Sequence, residues 1–257
     1  MNASLITLRQ EEIYNCIVHS NVATIQDISD TLHISQSTVR RDLKILLDEK
    51  RIQSFHGGVS VNTGYDSFFE RTTKNIEYKR KIGQRAVKLI QNNDFIYIGG
   101  GSTTFEFANV LCRCAYLKDV TIVCSAMNIA RCFVGNRAFK VIVPGGELED
   151  ENESMASKMT IDTLRKYNFT KAFVGTQAVN AKNGYTIPRL NLSELKSLIV
   201  ENAKELILIC DHTKIGKISA YKVCDIGEVT KIITDKYDGN EEEIKEIEKF
   251  GSQVICV

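Results

Sequence analysis

The sequence predicts a two-domain protein, in which a small module of short helices precedes a larger α/β domain with a mostly parallel sheet. The chain has 257 residues, more than a single domain usually contains. Short amphipathic helix patterns fill residues 1–60, whereas from about residue 75 apolar runs alternate with helical periodicity. Such alternation implies parallel strands joined by right-handed crossovers. We place the two domains at 1–62 and 75–257, with a linker over 63–74.

Composition excludes several classes of protein. Lys and Arg total 33 and Asp and Glu total 32, and the net charge of +1 excludes a globally basic chromatin protein and an acidic disordered chain. No run approaches the roughly 20 apolar residues of a membrane helix. The first residues also lack the apolar core of a signal peptide. We therefore expect a cytoplasmic protein with no membrane partner.

The eight cysteines match no metal-site pattern. None has the C-x-x-C spacing, and Cys112 and Cys114 are too close together for a zinc pair. Most of the cysteines lie in apolar runs, where reduced thiols act as small buried hydrophobic side chains. We expect no metal and no cofactor.

The first domain has the pattern of a helix-turn-helix. Apolar periodicity predicts three helices, the first over residues 8–20 and the others after the N-cap residues Thr24 and Ser35. Short hydrogen-bonding side chains at the start of the third helix let its backbone approach base edges, and its cations can contact phosphates or guanine. The DNA-binding residues predicted on this helix are Ser35, Gln36, Ser37, Thr38, Arg40, Arg41 and Lys44.

A predicted β-hairpin follows the third helix. Residues 51–55 and 59–61 predict its two strands, and His56, Gly57 and Gly58 form the turn between them. Two glycines allow the tip to approach a sugar-phosphate backbone closely. A hairpin in this place is a wing, so the first domain is predicted to be a winged helix-turn-helix that binds double-stranded DNA through these three residues as well.

Positive charge in the first domain is concentrated on the predicted third helix. Residues 1–60 contain six Lys or Arg and seven Asp or Glu, whereas residues 35–44 contain three cations and one acid. This distribution favours a DNA-reading helix over generic electrostatic attachment. On the pattern alone, the alternative is a helical hairpin whose arginines are merely solvated.

The larger domain contains a glycine-rich loop. A predicted strand over 95–98 enters three glycines, followed by hydroxyl side chains and a helix. Successive backbone amides at a helix N-terminus form an anion site. The loop is neither a dinucleotide fingerprint nor a Walker loop, so phosphate or a phosphorylated metabolite is the expected ligand. The alternative is a tight turn without a ligand. The predicted binding residues are Gly100, Gly101, Ser102, Thr103 and Thr104.

Further candidates follow other predicted strands. In open α/β sheets, ligands bind outside the carboxyl ends of the strands. The candidates at these positions are Ser125, Gly145, Gly146, Asp211 and Lys214. Lys196, on a helix predicted over 192–203, either reaches the same crevice or lies on a solvated face.

A basic run precedes the glycine-rich loop. Residues 71–88 contain seven Lys or Arg, with Glu70 and Glu77 as the nearby acids. The run lines DNA, lines an interface or forms a solvated helix face, and the pattern does not choose among these.

The motifs of both domains resemble those of the DeoR family of bacterial transcriptional regulators. Residues 34–43, which end in Arg-Arg-Asp-Leu, and the His56-Gly57-Gly58 turn resemble the family's recognition helix and wing. Residues 101–104 and 211–216, the Gly145-Gly146 pair and Lys196 resemble motifs of its C-terminal effector domain. This resemblance implies a second domain similar in fold to ribose-5-phosphate isomerase and coenzyme A transferase.

The resemblance also implies a function. It predicts a sequence-specific repressor of sugar-metabolism genes that acts as a homodimer or homotetramer and is relieved by a phosphorylated sugar. Two departures affect the sugar site, because Gly99 stands where the family has aspartate and residues 124–126 where it has Thr-Asn-Ser. The alternative is a sugar-phosphate isomerase or deaminase fused to a DNA-binding module, with Asp211 or Glu194 as its base. We expect a regulator and not an enzyme.

Overall fold

The computed structural model describes residues 2–20, 22–55, 58–61, 68–149 and 153–257. The chain divides into two compact units, Met1–Lys74 and Asn75–Val257.

The first unit combines helices with a three-stranded sheet. Its elements are α1 (Asn2–Ser20), β1 (Val22–Ala23), α2 (Ile25–Leu32), α3 (Gln36–Asp48), β2 (Ile52–Phe55), β3 (Gly58–Val61) and α4 (Phe68–Thr73). Strand β3 lies between β1 and β2 and pairs antiparallel with both. Ile17, Ile28 and Leu46 come from three different helices and are fully buried in one core. The winged helix-turn-helix expected from the sequence is confirmed, while His56 and Gly57 lie outside the described residues.

Local capping explains where α2 and α3 begin. The Thr24 side chain accepts a hydrogen bond from the Asp27 amide at 3.1 Å, and the Asp27 carboxylate accepts one from the Thr24 amide at 2.8 Å. Ser35 accepts from the Thr38 amide at 3.3 Å. His33 has a φ of 54° and ends α2 in a left-handed conformation. These caps hold the turn between α2 and α3 short.

Part of the predicted linker over 63–74 is helical. In α4, Glu70 is 3% exposed and its carboxylate accepts a hydrogen bond from Gln53 of β2 at 2.9 Å. The side chain of Glu70 therefore ties α4 to the sheet of the first unit, which no local pattern indicates. The region 62–67 lies outside the described residues.

The second unit is an α/β unit. Its strands are β4 (Phe95–Ile98), β5 (Val120–Cys124), β6 (Phe139–Ile142), β7 (Leu148–Glu149), β8 (Ser154–Met155), β9 (Lys171–Val174), β10 (Ala178–Asn180), β11 (Gly184–Ile187), β12 (Leu206–Ile209), β13 (Tyr221–Cys224), β14 (Lys231–Thr234) and β15 (Gln253–Cys256). Its helices are α5 (Ile76–Val87), α6 (Ser102–Leu111), α7 (Met127–Arg131), α8 (Lys158–Leu164), α9 (Leu190–Glu201) and α10 (Glu241–Glu248).

Seven of these strands form one parallel sheet. Their order is β15, β14, β12, β9, β4, β5, β6, and every neighbouring pair is parallel. Both faces of this sheet are covered: Leu208 of β12 packs in one core cluster, and its neighbours Ile207 and Ile209 pack in the other. Successive side chains of a strand point to opposite faces, so a strand that is covered on both faces is apolar at every position. The mostly parallel sheet predicted from the sequence is confirmed.

The parallel arrangement brings the carboxyl ends of the strands to a single edge. The glycine-rich loop follows β4, which lies near the middle of the sheet, with β5 and β9 as its neighbours. A separate antiparallel sheet of β10, β11 and β13 adds to this unit. No helix among the described residues is long and apolar enough to cross a membrane.

Candidate DNA-binding surface and anion site

Helix α3 exposes the polar face that the sequence predicted. The exposed side chains of this face are Gln36, Ser37, Arg40, Arg41 and Lys44. Ser35 caps the helix, and its hydroxyl lies 2.9 Å from the hydroxyls of both Ser37 and Thr38. Gln36 donates to the Gln26 side chain of α2 at 2.5 Å. The two helices of the motif thus join at the end of α3 where base-reading side chains are expected.

The acid within the predicted reading helix points away from this face. Asp42 is 1% exposed, and both of its carboxylate oxygens accept from Arg9 of α1, at 2.6 and 3.1 Å. Because the one acid of residues 35–44 is paired inside the unit, the exposed face over these residues is purely basic and polar. A phosphate approaching Arg40 or Arg41 meets no carboxylate from this stretch of helix.

A cleft of about 440 Å³ separates α3 from the β-hairpin. Arg40 and Lys44 line it on the helix side, and Ser54 and Gly58 line it on the hairpin side. The remaining lining is aliphatic and consists of Ala23, Ile25, Leu43, Leu47 and Val59. The cleft therefore places two cations, which favour phosphates, beside an otherwise mostly apolar lining.

The glycine-rich loop presents unused backbone donors. The Gly99 amide continues the sheet and donates to the Phe173 carbonyl at 2.9 Å. By contrast, the amides of residues 100–104 donate to no group within the described parts of the chain. These amides lie at the N-terminus of the ten-residue helix α6, where the helix dipole also favours an anion. The geometry of the loop therefore suits an anion, and its role as a binding site stays a prediction. We call residues 100–104 the cradle.

Two contacts fix the shape of the cradle. The Gly101 carbonyl accepts from the Thr104 hydroxyl and from the Phe105 amide, both at 2.9 Å. Gly101 has a φ of 154°, which a residue with a side chain rarely adopts. A Cβ at Gly100 would approach the Cβ of Ala126 to 3.1 Å. Glycine is therefore required here both for conformation and for space.

Lys196 lies at the next strand end. Its Nζ donates to the Gly175 carbonyl at 2.8 Å and lies 5.3 Å from the centre of the Tyr185 ring. The Tyr185 hydroxyl donates to the same carbonyl at 2.9 Å. Gly175 is adjacent to the loop, since a Cβ there would lie 4.0 Å from Cγ2 of Thr104. Lys196 thus brings a positive charge close to the cradle, from a helix that sequence alone left ambiguous.

Ser125 occupies a different place from the one expected. Its side chain is 1% exposed, and its hydroxyl lies 2.8 Å from the Tyr97 hydroxyl. Burial raises the pKa of Tyr97, so the phenol stays protonated. This buried pair supports the sheet behind the loop, because the side chain of Ser125 points into the core rather than to the open edge. The sequence analysis missed Tyr97, whose hydroxyl carries no signal in an apolar strand.

Gly145 and Gly146 pack on α8. The Gly145 carbonyl accepts from the Thr160 hydroxyl at 2.8 Å, and a Cβ at Gly146 would lie 2.1 Å from that hydroxyl oxygen and 2.7 Å from the Ser157 oxygen. Strand β6, which precedes them, is two strands from β4, or about 10 Å. Close packing explains Gly146 and a φ of 79° explains Gly145, in both cases without a ligand.

Asp211 and Lys214 lie on the other side of the cradle, where β12 is also two strands from β4. Asp211 is 3% exposed and accepts from the Thr213 amide and hydroxyl and from the Asn75 side chain. Burial alone would raise the pKa of Asp211, but the Thr213 hydroxyl and the charges of Lys214 and Lys79 outweigh it and lower that pKa. The carboxylate therefore stays ionised and held in place.

His212 and Asp235 form a further polar pair that the sequence analysis missed. The Asp235 carboxylate accepts from the His212 amide at 2.7 Å and lies 2.6 Å from Nδ1 of its ring. The imidazole stacks on Tyr237 at 4.6 Å and meets the Tyr78 ring edge-on at 5.5 Å. A histidine directly after Asp211 could have indicated a polar site at this strand end. Its partner Asp235 is 23 residues away and could not be predicted, because the pairing of β12 with β14 brings the two residues together.

Among the residues that the structure describes, the cysteines and acidic side chains form no metal site. All eight cysteines are free thiols. Burial raises the pKa of the Cys124 thiol to about 12, so it stays protonated. Within the described ranges, no three His, Cys, Asp or Glu side chains are grouped so as to hold a metal ion.

A helix-turn-helix with an exposed basic face, followed in the chain by an α/β unit with a candidate anion site, is the organisation of a DNA-binding transcriptional regulator with a sensor domain. Residues 9–64 match the family model of the DeoR-like helix-turn-helix domain, and residues 74–236 match that of the DeoR C terminal sensor domain. The second match alone covers more than half of the chain. The chain therefore belongs to the DeoR family.

Individual relatives agree with this family. The chain is 28% identical over 253 residues to the HTH-type transcriptional regulator GlpR of Haloferax volcanii, with 96% of each protein covered. It is 28% identical over 248 residues to the lactose phosphotransferase system repressor of Staphylococcus aureus, which covers 94% of this chain and 96% of the repressor. Ribose 5-phosphate isomerase A of Methanocaldococcus jannaschii is a structural match with 19% identity and a TM-score of 0.41, over 55% of each chain.

Proposed function

We propose that this protein is an operator-binding repressor of sugar-metabolism genes, which is released from DNA when a phosphorylated sugar binds to its second unit. Residues 1–62 act as the DNA-binding domain and residues 75–257 as the sensing domain. The observation that carries the proposal is the set of unpartnered amides over residues 100–104 at the N-terminus of α6. Such a set of donors recognises a phosphate.

The DNA contacts follow from the exposed face of α3. Arg40 and Arg41 contact base edges or phosphates in the major groove, and Gln36 and Ser37 approach base edges near the helix start. Lys44 and the cleft beside it take the sugar-phosphate chain, and the hairpin with Gly58 extends along the duplex. One small module buries too little surface for tight specific binding, so a homodimer or homotetramer reads repeated half-sites.

The ligand contacts divide between the two ends of a sugar phosphate. The amides of residues 100–104, with the hydroxyls of Ser102 and Thr103, bind the phosphate, and Lys196 adds a positive charge beside it. Asp211 and Lys214, about 10 Å away across β9, bind hydroxyls at the far end of the sugar. Ser125, Gly145 and Gly146 shape the site without touching the ligand.

The repressor and sugar assignments have support from the relatives. The staphylococcal protein named above is, by its name, a repressor of a lactose phosphotransferase system. Release from DNA requires only that the ligand binds better to the state with low operator affinity. The linkage is reciprocal, so operator DNA must weaken ligand binding by the same factor.

The proposed function is tested by thermal unfolding of the wild-type protein with a panel of pentose and hexose phosphates. The matching unphosphorylated sugars are the controls, and each titration is repeated with a duplex selected from a random library for binding to the protein. At least one sugar phosphate is expected to raise the unfolding temperature and to lower affinity for the selected duplex. Equal responses to all phosphates and to their unphosphorylated forms would contradict the proposal.

The proposed protein binds the sugar phosphate without converting it into a product. Proton abstraction from a sugar needs a carboxylate placed at the reacting carbon. Asp211 is held by Thr213 and Asn75 at the far side of the site, and Glu194 is exposed on α9. Conversion of any phosphate of the panel into an isomer or a deaminated product would support the enzyme instead.

Replacing Thr103 by valine is expected to reduce the thermal stabilisation by the active sugar phosphate. The change keeps the shape of the side chain and removes a hydroxyl beside the cradle, where Thr103 is 7% exposed. Thr163→Val is the matched control, because this hydroxyl lies on α8 and donates to the Met159 carbonyl. An undiminished shift in Thr103→Val would place the phosphate elsewhere.

Replacing Lys196 by alanine is expected to leave operator binding unchanged while weakening the response to the sugar phosphate. The lysine lies beside the cradle and far in sequence from α3, so only ligand binding loses a charge. The measurement is the concentration of sugar phosphate that releases half of the selected duplex. A wild-type value would remove Lys196 from the ligand site.

A further inference from the structure

The cations of the basic run over residues 71–88 differ in their burial and in their ion pairs. Lys79 is 3% exposed and faces the interior near Asp211. Arg80 pairs with Glu77 at 2.9 Å and with Glu106 at 3.5 Å. Three other cations, Lys81, Arg85 and Lys88, form no ion pair with any acid in the part of the chain that the structure describes. We call these three residues the basic stripe.

The basic stripe lies along one face of α5 and its C-cap. Lys81 and Lys88 are exposed and Arg85 is half-buried, while Ile82 and Ala86 on the opposite face are fully buried. Residues at positions i, i+4 and i+7 share a face of a helix. At 1.5 Å per residue, the stripe extends over about 10 Å.

We propose that the basic stripe is a second DNA-binding surface, which contacts phosphates of duplex DNA. Each strand of a duplex carries one phosphate per 3.4 Å of helix axis, so a stripe of about 10 Å along a duplex meets two or three phosphates. Three flexible cations without acidic partners match that spacing. This inference rests on the proposed function, since it requires that the protein binds duplex DNA.

The charge of the first domain supports a second surface. Residues 1–60 contain six cations and seven acids. Three of these cations lie outside the reading helix, and two of the three, Arg9 and Arg51, are paired with acids. Duplex binding draws much of its free energy from phosphate neutralisation, which a nearly neutral domain supplies poorly. The stripe begins seven residues after Lys74, the last residue of the first unit. The helix dipole accounts for cations at the C-terminal end of α5, such as Lys88, but not for Lys81.

The test replaces all three cations of the stripe with glutamine in the full-length protein. Affinity for the selected duplex is measured by fluorescence anisotropy between 50 and 200 mM salt. Each lost phosphate contact lowers the slope of log affinity against log salt by about 0.9, so we expect a slope reduced by about 2–3. The ratio of affinities for the selected and a scrambled duplex stays at its wild-type value, because phosphate contacts carry no sequence information.

A matched control removes the same charge elsewhere. Lys140, Lys182 and Lys217 are exposed in the second unit, and their replacement by glutamine is expected to leave the slope unchanged. The single change Lys81→Gln, on an exposed helix position, is expected to lower the slope by about 0.9 and provides a measurement should the triple variant fold poorly.

The outcomes separate the two proposals. A wild-type slope in both the triple and the Lys81→Gln variants overturns the second surface, as does an equal loss in the control, which would reflect net charge alone. A wild-type protein that selects no duplex overturns the proposed function itself. Normal DNA binding with altered association between copies of the chain would assign the stripe to an interface instead.

Discussion

Replacing Lys171 by methionine is expected to lower the free energy of unfolding of the second unit by about 3–5 kcal/mol, the usual cost of leaving one partner of a buried ion pair alone. Lys171 is 7% exposed and Asp94 6% exposed, and the lysine Nζ lies 2.8 Å from both carboxylate oxygens. The Thr170 hydroxyl and the Gln91 amide still donate to Asp94 in the variant, which favours the lower end of this range.

The measurement is chemical denaturation of the variant beside two controls. Lys158→Met breaks an exposed pair with Asp162 and is expected to cost at most about 1 kcal/mol. Adding Asp94→Asn to Lys171→Met removes the unpaired charge and is expected to restore part of the loss. A cost for Lys171→Met no larger than that of Lys158→Met would show that the buried pair does not stabilise the unit.

The pair also has a structural role. Asp94 directly precedes β4 and Lys171 is the first residue of β9, so the pair joins the amino ends of two neighbouring strands. The cradle lies at the opposite, carboxyl ends of the same strands. The Lys171→Met variant is therefore expected to lose stability while its remaining folded fraction still binds the sugar phosphate.

Replacing Arg40 or Arg41 by alanine is expected to weaken binding to the selected duplex by about 1–3 kcal/mol wherever the side chain contacts a base, and to relax the preference at that base. Both side chains are exposed on α3, and the acid between them and Lys44 is turned inward to Arg9. The same change at a phosphate contact would weaken all sequences equally and lower the salt slope by about 1.

The readout is anisotropy with the selected duplex and with variants at each base pair. Arg165→Ala, at the exposed C-cap of α8, removes the same charge from the second unit and is expected to leave affinity unchanged. Wild-type affinity in both Arg40→Ala and Arg41→Ala would mean that α3 does not read the duplex.

Much of the fold follows from local patterns. The starts of α2 and α3 are determined by Thr24 and Ser35, whose partners lie three residues away. The apolar runs predicted buried parallel strands, and the strand predicted over 95–98 is β4, because strands covered on both faces are apolar throughout. The small antiparallel sheet of β10, β11 and β13 was not predicted, since β10 is only three residues long and β13 pairs with β11 across a long connection.

The candidate site was predicted in part. The glycine-rich loop needed only the order of strand, glycines and helix, and its free amides follow from that order. The role of Ser125 did not, because its hydroxyl meets Tyr97 from another strand. For Gly146, close packing against Thr160 of α8 explains glycine equally well, and for Gly145 its φ of 79° does so. Only coordinates show either feature.

The sequence by itself determined the two-part organisation, the capped helices of the DNA-binding unit and the glycine-rich loop, because each depends on interactions within a few residues. The tertiary structure decided which charges remain available. It paired Asp42 with Arg9, 33 residues away, and Arg80 with Glu106, and it left Lys81, Arg85 and Lys88 facing outward. Side-chain charges are exposed or neutralised by whichever distant element packs against them, and that packing is a property of the whole fold.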